Sequence, residues 1–262
     1  MDLWSLSASE LTLVLAAAFG AGILDAAVGS GGVVLLPALL GVAPAGAAVA
    51  PLAINKAVAI LGNLAAAVRY RQIRPSILRT RVLLLYIGCG LLALSLGVFT
   101  ASQFSVSEFT PIVIAALLLL AVYMTWSAFR GGASTEGGSE ASAPVLSPAT
   151  PAVVASIGFY DGFIGPATGS LLQTALSRLS GRPVHDCLAD SRAIQGVFNL
   201  ASATLLWIVA TPDWKLVLVL AIANIIGSLV GTVVAGRISE FYLKMLLAIC
   251  IVASAVRLAI IG

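Results

Sequence analysis

Apolar residues run along this chain in long, nearly continuous stretches that are separated by short polar loops and one long polar segment. A helix needs roughly 20 apolar residues to cross a bilayer. The pattern therefore predicts an all-α polytopic membrane protein. Its apolar stretches cover residues 11–28, 33–40, 48–68, 82–100 and 110–129 in the first half, and residues 150–164, 168–177, 187–209, 216–235 and 241–261 in the second.

The composition supports a membrane location and disfavours other classes. Hydrophobic residues make up 60% of the chain and charged residues 10%, against about 25% charged residues in a typical soluble domain. A membrane β-barrel would instead show short segments of alternating hydrophobicity. The net charge of +3 concerns orientation in the bilayer rather than nucleic acid. We expect the lipid bilayer as a partner and no nucleic acid.

One segment differs from the rest of the chain. Residues 130–151, RGGASTEGGSEASAPVLSPATP, are rich in Gly, Ser, Ala and Pro and have no apolar period. Such a composition is typical of a flexible linker. We therefore divide the chain into a first membrane repeat (1–129), a linker (130–150) and a second membrane repeat (151–262).

The two halves resemble each other at a constant offset of 136 positions, without gaps from Gly22 to Ala67. Apolar identities are common in such a composition, but matched polar residues and glycines are not. They indicate an internal duplication with about five helical segments in each half, the first two short and broken by glycine. The matched pairs include Asp25 and Asp161, Gly29 and Gly165, Lys56 and Arg192, and Asn63 and Asn199.

Corresponding loops of the two halves differ in charge. The loop 69–81 is rich in arginine, whereas its counterpart 210–215 has one acid and one base; conversely, 177–185 is basic and its counterpart 41–49 is uncharged. Basic loops stay in the cytoplasm. The halves are therefore predicted to be inverted in a bacterial cytoplasmic (inner) membrane, with both termini outside and the linker cytoplasmic. The stretch 11–28 lacks a preceding basic region and is interpreted as a retained membrane segment.

Glycine-rich breaks interrupt the apolar pattern at the same place in each half, as VGSGGV and IGPATGS. In inverted-repeat transporters, such interruptions indicate the binding site, and a helix that restarts after a break points free N–H groups at an anion. A kink that only allows close packing is the alternative. The candidate binding residues are Gly29, Ser30, Gly31 and Gly32 in the first break and Gly165, Thr168, Gly169 and Ser170 in the second.

The third segment of each half adds charge beside the breaks. Lys56 and Asn63 share one helical face, and Arg192, Gln195, Asn199 and Ser202 form the longer equivalent stripe. Lys56, Asn63, Arg192 and Asn199 are candidate substrate ligands. The cations could instead snorkel to the interface or form ion pairs, Asp25 with Lys56 and Asp161 with Arg192, and the asparagines could join helices. The two aspartates are candidates for ion pairing or for carrying a coupling ion.

The residues give little support for disulfides, a metal site or enzymatic activity. Cys89, Cys187 and Cys250 are far apart, and His185 is the only histidine, so neither a disulfide framework nor a metal site is predicted. We expect no cofactor and no enzymatic activity, because no nucleophile–base cluster is evident. The GSLVG sequence at 227–231 is a Gly-x-x-x-Gly pattern that packs helices within the chain or, in a homo-oligomer, between protomers. The first arrangement is the safer interpretation.

The sequence resembles the sulfite exporter TauE/SafE family of bacterial membrane permeases. The resemblance rests on GAGILDAAVGSGGVVLLPALL and INKAVAILGNLAAAVRYRQ in the first half, and on GFYDGFIGPATGS and SRAIQGVFNLAS in the second. It implies that the protein moves sulfite, sulfoacetate or another small organosulfur anion across the cytoplasmic membrane, usually outward.

Together these features predict a secondary transporter that exports a small sulfur anion by alternating access at a site between the two repeats, with a proton or a sodium ion as candidate coupling ion. A passive anion channel and a non-transporting membrane subunit are the alternatives. Flux accelerated by substrate on the opposite side would favour a carrier over a channel.

Overall fold

The computed structural model describes residues 6–44, 48–73, 80–130, 148–235, 237 and 240–261. Within these ranges the chain is helical and contains no strand, and each predicted apolar stretch corresponds to one helix. The helices are α1 (Ala8–Val28), α2 (Gly32–Leu40), α3 (Val49–Ile73), α4 (Thr80–Ala101), α5 (Val106–Arg130), α6 (Thr150–Phe163), α7 (Thr168–Ser180), α8 (Leu188–Val209), α9 (Trp214–Ala235) and α10 (Glu240–Ile261). The all-helical prediction is confirmed, while most of the predicted linker lies outside the described residues.

Six of the described helices are long and apolar enough to cross a membrane, namely α1, α3, α4, α5, α8 and α9. By contrast, α2, α6 and α7 contain 9, 14 and 13 residues. At about 1.5 Å per residue, none of these three reaches across a hydrocarbon core of about 30 Å. The chain is therefore a multi-pass membrane protein in which short helices accompany the spans.

The first helix is longer than the apolar pattern indicates. The expectation of a short first segment is wrong for α1, which has 21 residues. A capping box explains the early start: the Glu10 amide donates to Ser7 Oγ over 3.3 Å, and the Ser7 amide donates to the Glu10 carboxylate over 2.8 Å. These bonds satisfy donors that an uncapped helix end leaves unpaired.

The two halves pack against each other reciprocally. The first helix of each half packs on the fourth helix of the other, which pairs α1 with α9 and α6 with α4. The third helices, α3 and α8, pack together at the centre, and so do the fifth helices, α5 and α10. This packing places α3 and α8 beside the two glycine breaks. The inverted duplication and the positions of the termini remain predictions.

Apolar and charged side chains are distributed as in a lipid-surrounded protein. Large apolar side chains on the outer helices are exposed, for example Leu92 by 77%, Leu119 by 73% and Ile260 by 78%. Several charged side chains are buried, among them Lys56, exposed by 1%, and Arg192, exposed by 0%. Ionisable residues in membrane-spanning segments characteristically face the interior of the bundle, where they mark functional sites.

The Gly-x-x-x-Gly pattern packs within the chain. A Cβ built at Gly231 would lie 2.9 Å from the Cα of Ile23, and one built at Gly227 would lie 3.0 Å from the carbonyl carbon of Phe19. Only glycine permits α9 to approach α1 this closely. The interpretation of a contact inside one chain is thus confirmed.

Candidate functional site

The two glycine breaks lie in direct contact. Ser30 Oγ of the first break is 2.6 Å from Ser170 Oγ of the second. The Ser170 amide donates to the Gly29 carbonyl over 3.2 Å, and the Ser170 hydroxyl is also close to the Val28 carbonyl. The breaks that the sequence places 136 residues apart therefore form one buried centre.

Glycine is needed where the breaks meet. Gly29 ends α1 with a φ of +77°, and its amide donates to the carbonyls of Leu24 and Asp25. A Cβ built at Gly29 would lie 2.5 Å from the carbonyl carbon of Gly169. Both the left-handed backbone and the close approach exclude a larger residue here. The alternative of close packing is therefore realised at the breaks, and it coexists with the polar contacts between them.

Each aspartate accepts a hydrogen bond at the start of the short helix that follows its own break. Asp25 Oδ1 accepts a hydrogen bond from the Gly31 amide over 3.1 Å, just before α2. Asp161 Oδ1 accepts one from the Thr168 hydroxyl over 2.6 Å, at the first residue of α7. A carboxylate is favourable at these positions because the N-terminus of a helix carries partial positive charge.

Two backbone amides of the breaks have partners within the centre. The amides of the breaks are expected to face an anion, but the Gly31 amide is bonded to Asp25 and the Ser170 amide to the Gly29 carbonyl. These two amides are therefore not free to bind an anion in this arrangement.

The ion pairing crosses between the halves. The expected pair of Asp25 with Lys56 is wrong, because Lys56 Nζ lies 2.7 Å from Asp161 Oδ1. The expected pair of Asp161 with Arg192 is also wrong, because Asp161 is paired with Lys56. A Cβ built at Gly165 would lie 2.5 Å from Lys56 Nζ, so the lysine reaches into the second break. Reciprocal packing brings α3 of one half to the break of the other.

Asp25 accepts its hydrogen bonds from neutral groups. Besides the Gly31 amide, Asn63 Nδ2 donates to Asp25 Oδ2 over 2.5 Å, and Gln195 Nε2 donates to Oδ1 over 3.0 Å. Asn63 thus joins α3 to α1, as the alternative of interhelical hydrogen bonding proposed. Gln195 adds a further contact between the halves.

Arg192 lies at the contact of the two breaks. It is exposed by 0% and Lys56 by 1%, so snorkelling of these cations to the interface is wrong. Arg192 Nη1 donates to Gln195 Oε1 over 3.3 Å, and Nη2 donates to Gln173 Oε1 over 3.4 Å. A Cβ built at either Gly29 or Gly169 would collide with the guanidinium, which shows how close it lies to both breaks.

Several buried polar atoms around this centre have no hydrogen-bond partner among the described residues. They include the donors Arg192 Nε and Asn199 Nδ2 and the acceptor Asp161 Oδ2. Unpartnered buried polar atoms are rare and call for an explanation such as a ligand, an ion or a water molecule. Asn199 differs here from its counterpart Asn63, which is bonded to Asp25.

The remaining candidates also lie at the centre. Gly32 begins α2, and a Cβ built there would lie 3.4 Å from Asn55 Nδ2 and 3.5 Å from the Cα of Pro166. Sequence reasoning missed Gln173 and Asn55, which are buried beside the breaks. Gln195, which the sequence places on the same helical stripe as Arg192, also lies at the centre. Across the part of the chain that the structure describes, no three His, Cys, Asp or Glu residues are grouped to hold a metal.

The fold and this centre define a class: a multi-pass helical membrane protein in which two broken helices meet around buried charges. The model of the sulfite exporter TauE/SafE family matches residues 14–258. The chain therefore belongs to this family of membrane transporters.

Curated relatives extend over nearly the same length. The chain is similar to a probable membrane transporter protein of Haemophilus influenzae, with 29% identity over 84% of this chain and 83% of the relative. It is also similar to the probable membrane transporter protein ORF9 of a Sinorhizobium species, with 27% identity over 95% and 92% of the two chains. A third relative is the probable membrane transporter protein YfcA of Escherichia coli K12, with 25% identity over 88% and 82%. No solved structure matches the chain significantly.

Proposed function

We propose that this protein exports a small anion, either sulfite or a small organosulfonate such as sulfoacetate, by alternating access at the centre where the two breaks meet. The observation that carries the proposal is the Arg192 guanidinium, which is fully buried beside both breaks. A buried cation in a membrane segment is costly and is typical of a functional site. The family membership supports a sulfur anion as the substrate.

The unpartnered donors suit an anion. Arg192 Nε and Asn199 Nδ2 are both donors without an acceptor among the described residues. The Ser30 and Ser170 hydroxyls lie at the contact of the breaks, beside which Arg192 is buried. An oxyanion accepts hydrogen bonds from such groups, and arginine binds planar pairs of oxygens in a bidentate manner.

The charge of the centre supports a coupling ion. Two aspartates (Asp25 and Asp161) face two cations (Lys56 and Arg192), so the centre is neutral when all four are ionised. An entering monoanion would leave one uncompensated negative charge in a poorly hydrated interior, which is unfavourable. A proton on an aspartate, or a sodium ion, would offset it. If Asp25→Asn and Asp161→Asn both retain pH-driven flux, neither aspartate carries the coupling proton.

Alternating access assigns a role in transport to the contacts between the halves. The Lys56–Asp161 ion pair, the Gln195–Asp25 hydrogen bond and the Ser30–Ser170 contact all join the first half to the second. We infer that these contacts are exchanged when the centre turns from one side of the membrane to the other. The proposal includes an orientation. The protein lies in the inner membrane with both termini outside and the linker in the cytoplasm, as the arginine-rich loop 69–81 predicts.

The test is transport by purified protein in liposomes. Uptake of labelled sulfite and sulfoacetate into substrate-loaded vesicles is measured for the wild type, for Arg192→Ala, and for Arg69→Ala as a control at an exposed position. We expect counterflow in the wild type and the control, and none in Arg192→Ala that is folded. Flux without counterflow would indicate a channel, and no flux of any anion would favour a non-transporting subunit.

A further inference from the structure

The two buried cations of the centre have different partners. Lys56 is neutralised by a carboxylate, since its Nζ lies 2.7 Å from Asp161 Oδ1. For Arg192, no carboxylate of the described residues lies within 4.0 Å of the guanidinium nitrogens. Arg192 is nevertheless the more deeply buried of the two. Arg192 is therefore the cation of the centre that has no directly bonded carboxylate among the described residues.

Side-chain amides hold Arg192 in place of a carboxylate. Gln195 Oε1 accepts from Nη1 over 3.3 Å and Gln173 Oε1 accepts from Nη2 over 3.4 Å. These distances are at the long end of the range for hydrogen bonds. An amide oxygen is a neutral acceptor, so it orients the guanidinium without cancelling its charge. Gln195 Nε2 also donates a hydrogen bond to Asp25 Oδ1 over 3.0 Å, so that carboxylate is bonded to a neutral amide.

This arrangement belongs to the second half alone. The offset of 136 places Pro37 opposite Gln173 and Ala59 opposite Gln195. Neither side chain in the first half can accept a hydrogen bond, and Lys56 there has a carboxylate partner instead. The two glutamines therefore accompany the arginine and distinguish its surroundings from those of the lysine.

We propose that Gln173 and Gln195 are positioning residues that hold the Arg192 guanidinium ready for an oxyanion while keeping carboxylates off its η nitrogens. The inference deepens the proposed function and rests on it. The oxygens of the substrate replace the weakly bonded amide oxygens at the η nitrogens, because a charged acceptor makes a stronger bond than a neutral one. Anion affinity therefore depends on the neutrality of these two side chains.

The experiment replaces Gln173 by residues of similar size and different charge. Gln173→Glu places a carboxylate on Arg192, and Gln173→Met removes the acceptor without adding charge. Gln72→Glu, at an exposed position near the end of α3, controls for the added negative charge. For each folded variant, the KM and maximal rate of sulfite counterflow are measured in liposomes.

We expect Gln173→Glu to raise the KM for sulfite about 10- to 100-fold, the effect of losing a hydrogen bond to a charged group. Gln173→Met and Gln72→Glu should change the KM by less than about threefold, on the scale of a weak neutral hydrogen bond. A structural role of Gln173 would instead lower the maximal rate or the amount of folded protein in both Gln173 variants.

The outcomes separate this inference from the proposed function. If the wild type transports sulfite and Gln173→Glu keeps the wild-type KM, or if Gln173→Met raises the KM as much, the inference is overturned and the proposed function stands. If the wild type shows no counterflow with sulfite or with sulfoacetate, the proposed function is overturned together with the inference.

Discussion

Lys56 Nζ lies 2.7 Å from Asp161 Oδ1, and the two side chains, exposed by 2% and 1%, join the two halves of the chain in the interior of the helix bundle. A buried ion pair contributes little net stability compared with apolar residues of the same size. The pair is therefore better explained by a role at the breaks than by stability alone.

We predict that the Lys56–Asp161 pair is strongly coupled. Lys56→Met and Asp161→Asn should each lower the stability by about 3–5 kcal/mol, because each leaves an uncompensated buried charge. The double variant leaves none, so it should be more stable than the sum of the single effects predicts. Thermal unfolding in detergent, followed by intrinsic fluorescence, measures the three variants. Additive effects would show that the two side chains do not interact.

A second prediction concerns the glycine at the end of α1. Gly29→Ala should destabilise the protein by roughly 2 kcal/mol or more, since an alanine in the left-handed region costs about 1–2 kcal/mol and its Cβ would lie 2.5 Å from the backbone of Gly169. The matched control is Gly20→Ala, in the interior of the same helix with open space around it. The control should stabilise by about 0.5–1 kcal/mol. Equal melting temperatures of the two variants would contradict the close approach of the breaks.

The third prediction is a crosslink between the breaks. With the native cysteines replaced, Ser30→Cys combined with Ser170→Cys should form a disulfide on oxidation, because the two Oγ atoms are 2.6 Å apart. The crosslink should stop counterflow, and a reductant should restore it. Each single cysteine variant is the control. Unchanged transport by the oxidised double variant, with the bond shown by mass spectrometry, would mean that the breaks need not separate during transport.

A fourth prediction concerns Cys187, which lies in a short 3₁₀ helix before α8 and is exposed by 0%. Burial raises the pKa of this thiol to about 11, and the nearby Arg182 offsets that increase only in part. The thiolate is the form that reacts with alkylating reagents. A raised pKa lowers the thiolate fraction and therefore slows alkylation at any pH below that pKa.

In a Cys89→Ala/Cys250→Ala variant, maleimide should modify the folded protein at pH 8 at least about 100-fold more slowly than the unfolded protein, since the thiolate fraction falls tenfold per pKa unit. The rate should rise with pH well beyond the range of a free thiol. Mass spectrometry follows the reaction. Equal rates for the folded and the unfolded protein would contradict the burial of Cys187.

The apolar pattern was sufficient to predict the helices but not all of their ends. It placed the end of the third segment at residue 68, whereas α3 continues to Ile73. Arg and Gln are good helix formers, so the backbone continues where the apolar run stops. The early start of α1 comes from the Ser7–Glu10 capping box, a polar signal that hydrophobicity does not contain.

The predicted repeat indicated residues of the centre but not their partners. Asp25, Lys56, Asp161 and Arg192 were all found from their matched positions, yet the pairing of Lys56 with Asp161 depends on how the halves pack. A sequence comparison within one chain cannot show that packing. Gln173 was not indicated by the comparison of the halves, because its counterpart in the first half is Pro37 and the two do not form a matched polar pair.

The most direct test of the central claim is equilibrium binding of labelled sulfite to purified protein, wild type against Arg192→Gln. The substitution keeps a hydrogen-bonding side chain and removes the charge. We predict saturable binding of about one anion per chain in the wild type and a loss of affinity of at least about tenfold in the variant, as expected for a lost charge-assisted bond. Unchanged affinity in folded Arg192→Gln would contradict the assignment of Arg192 as the charge that binds the anion.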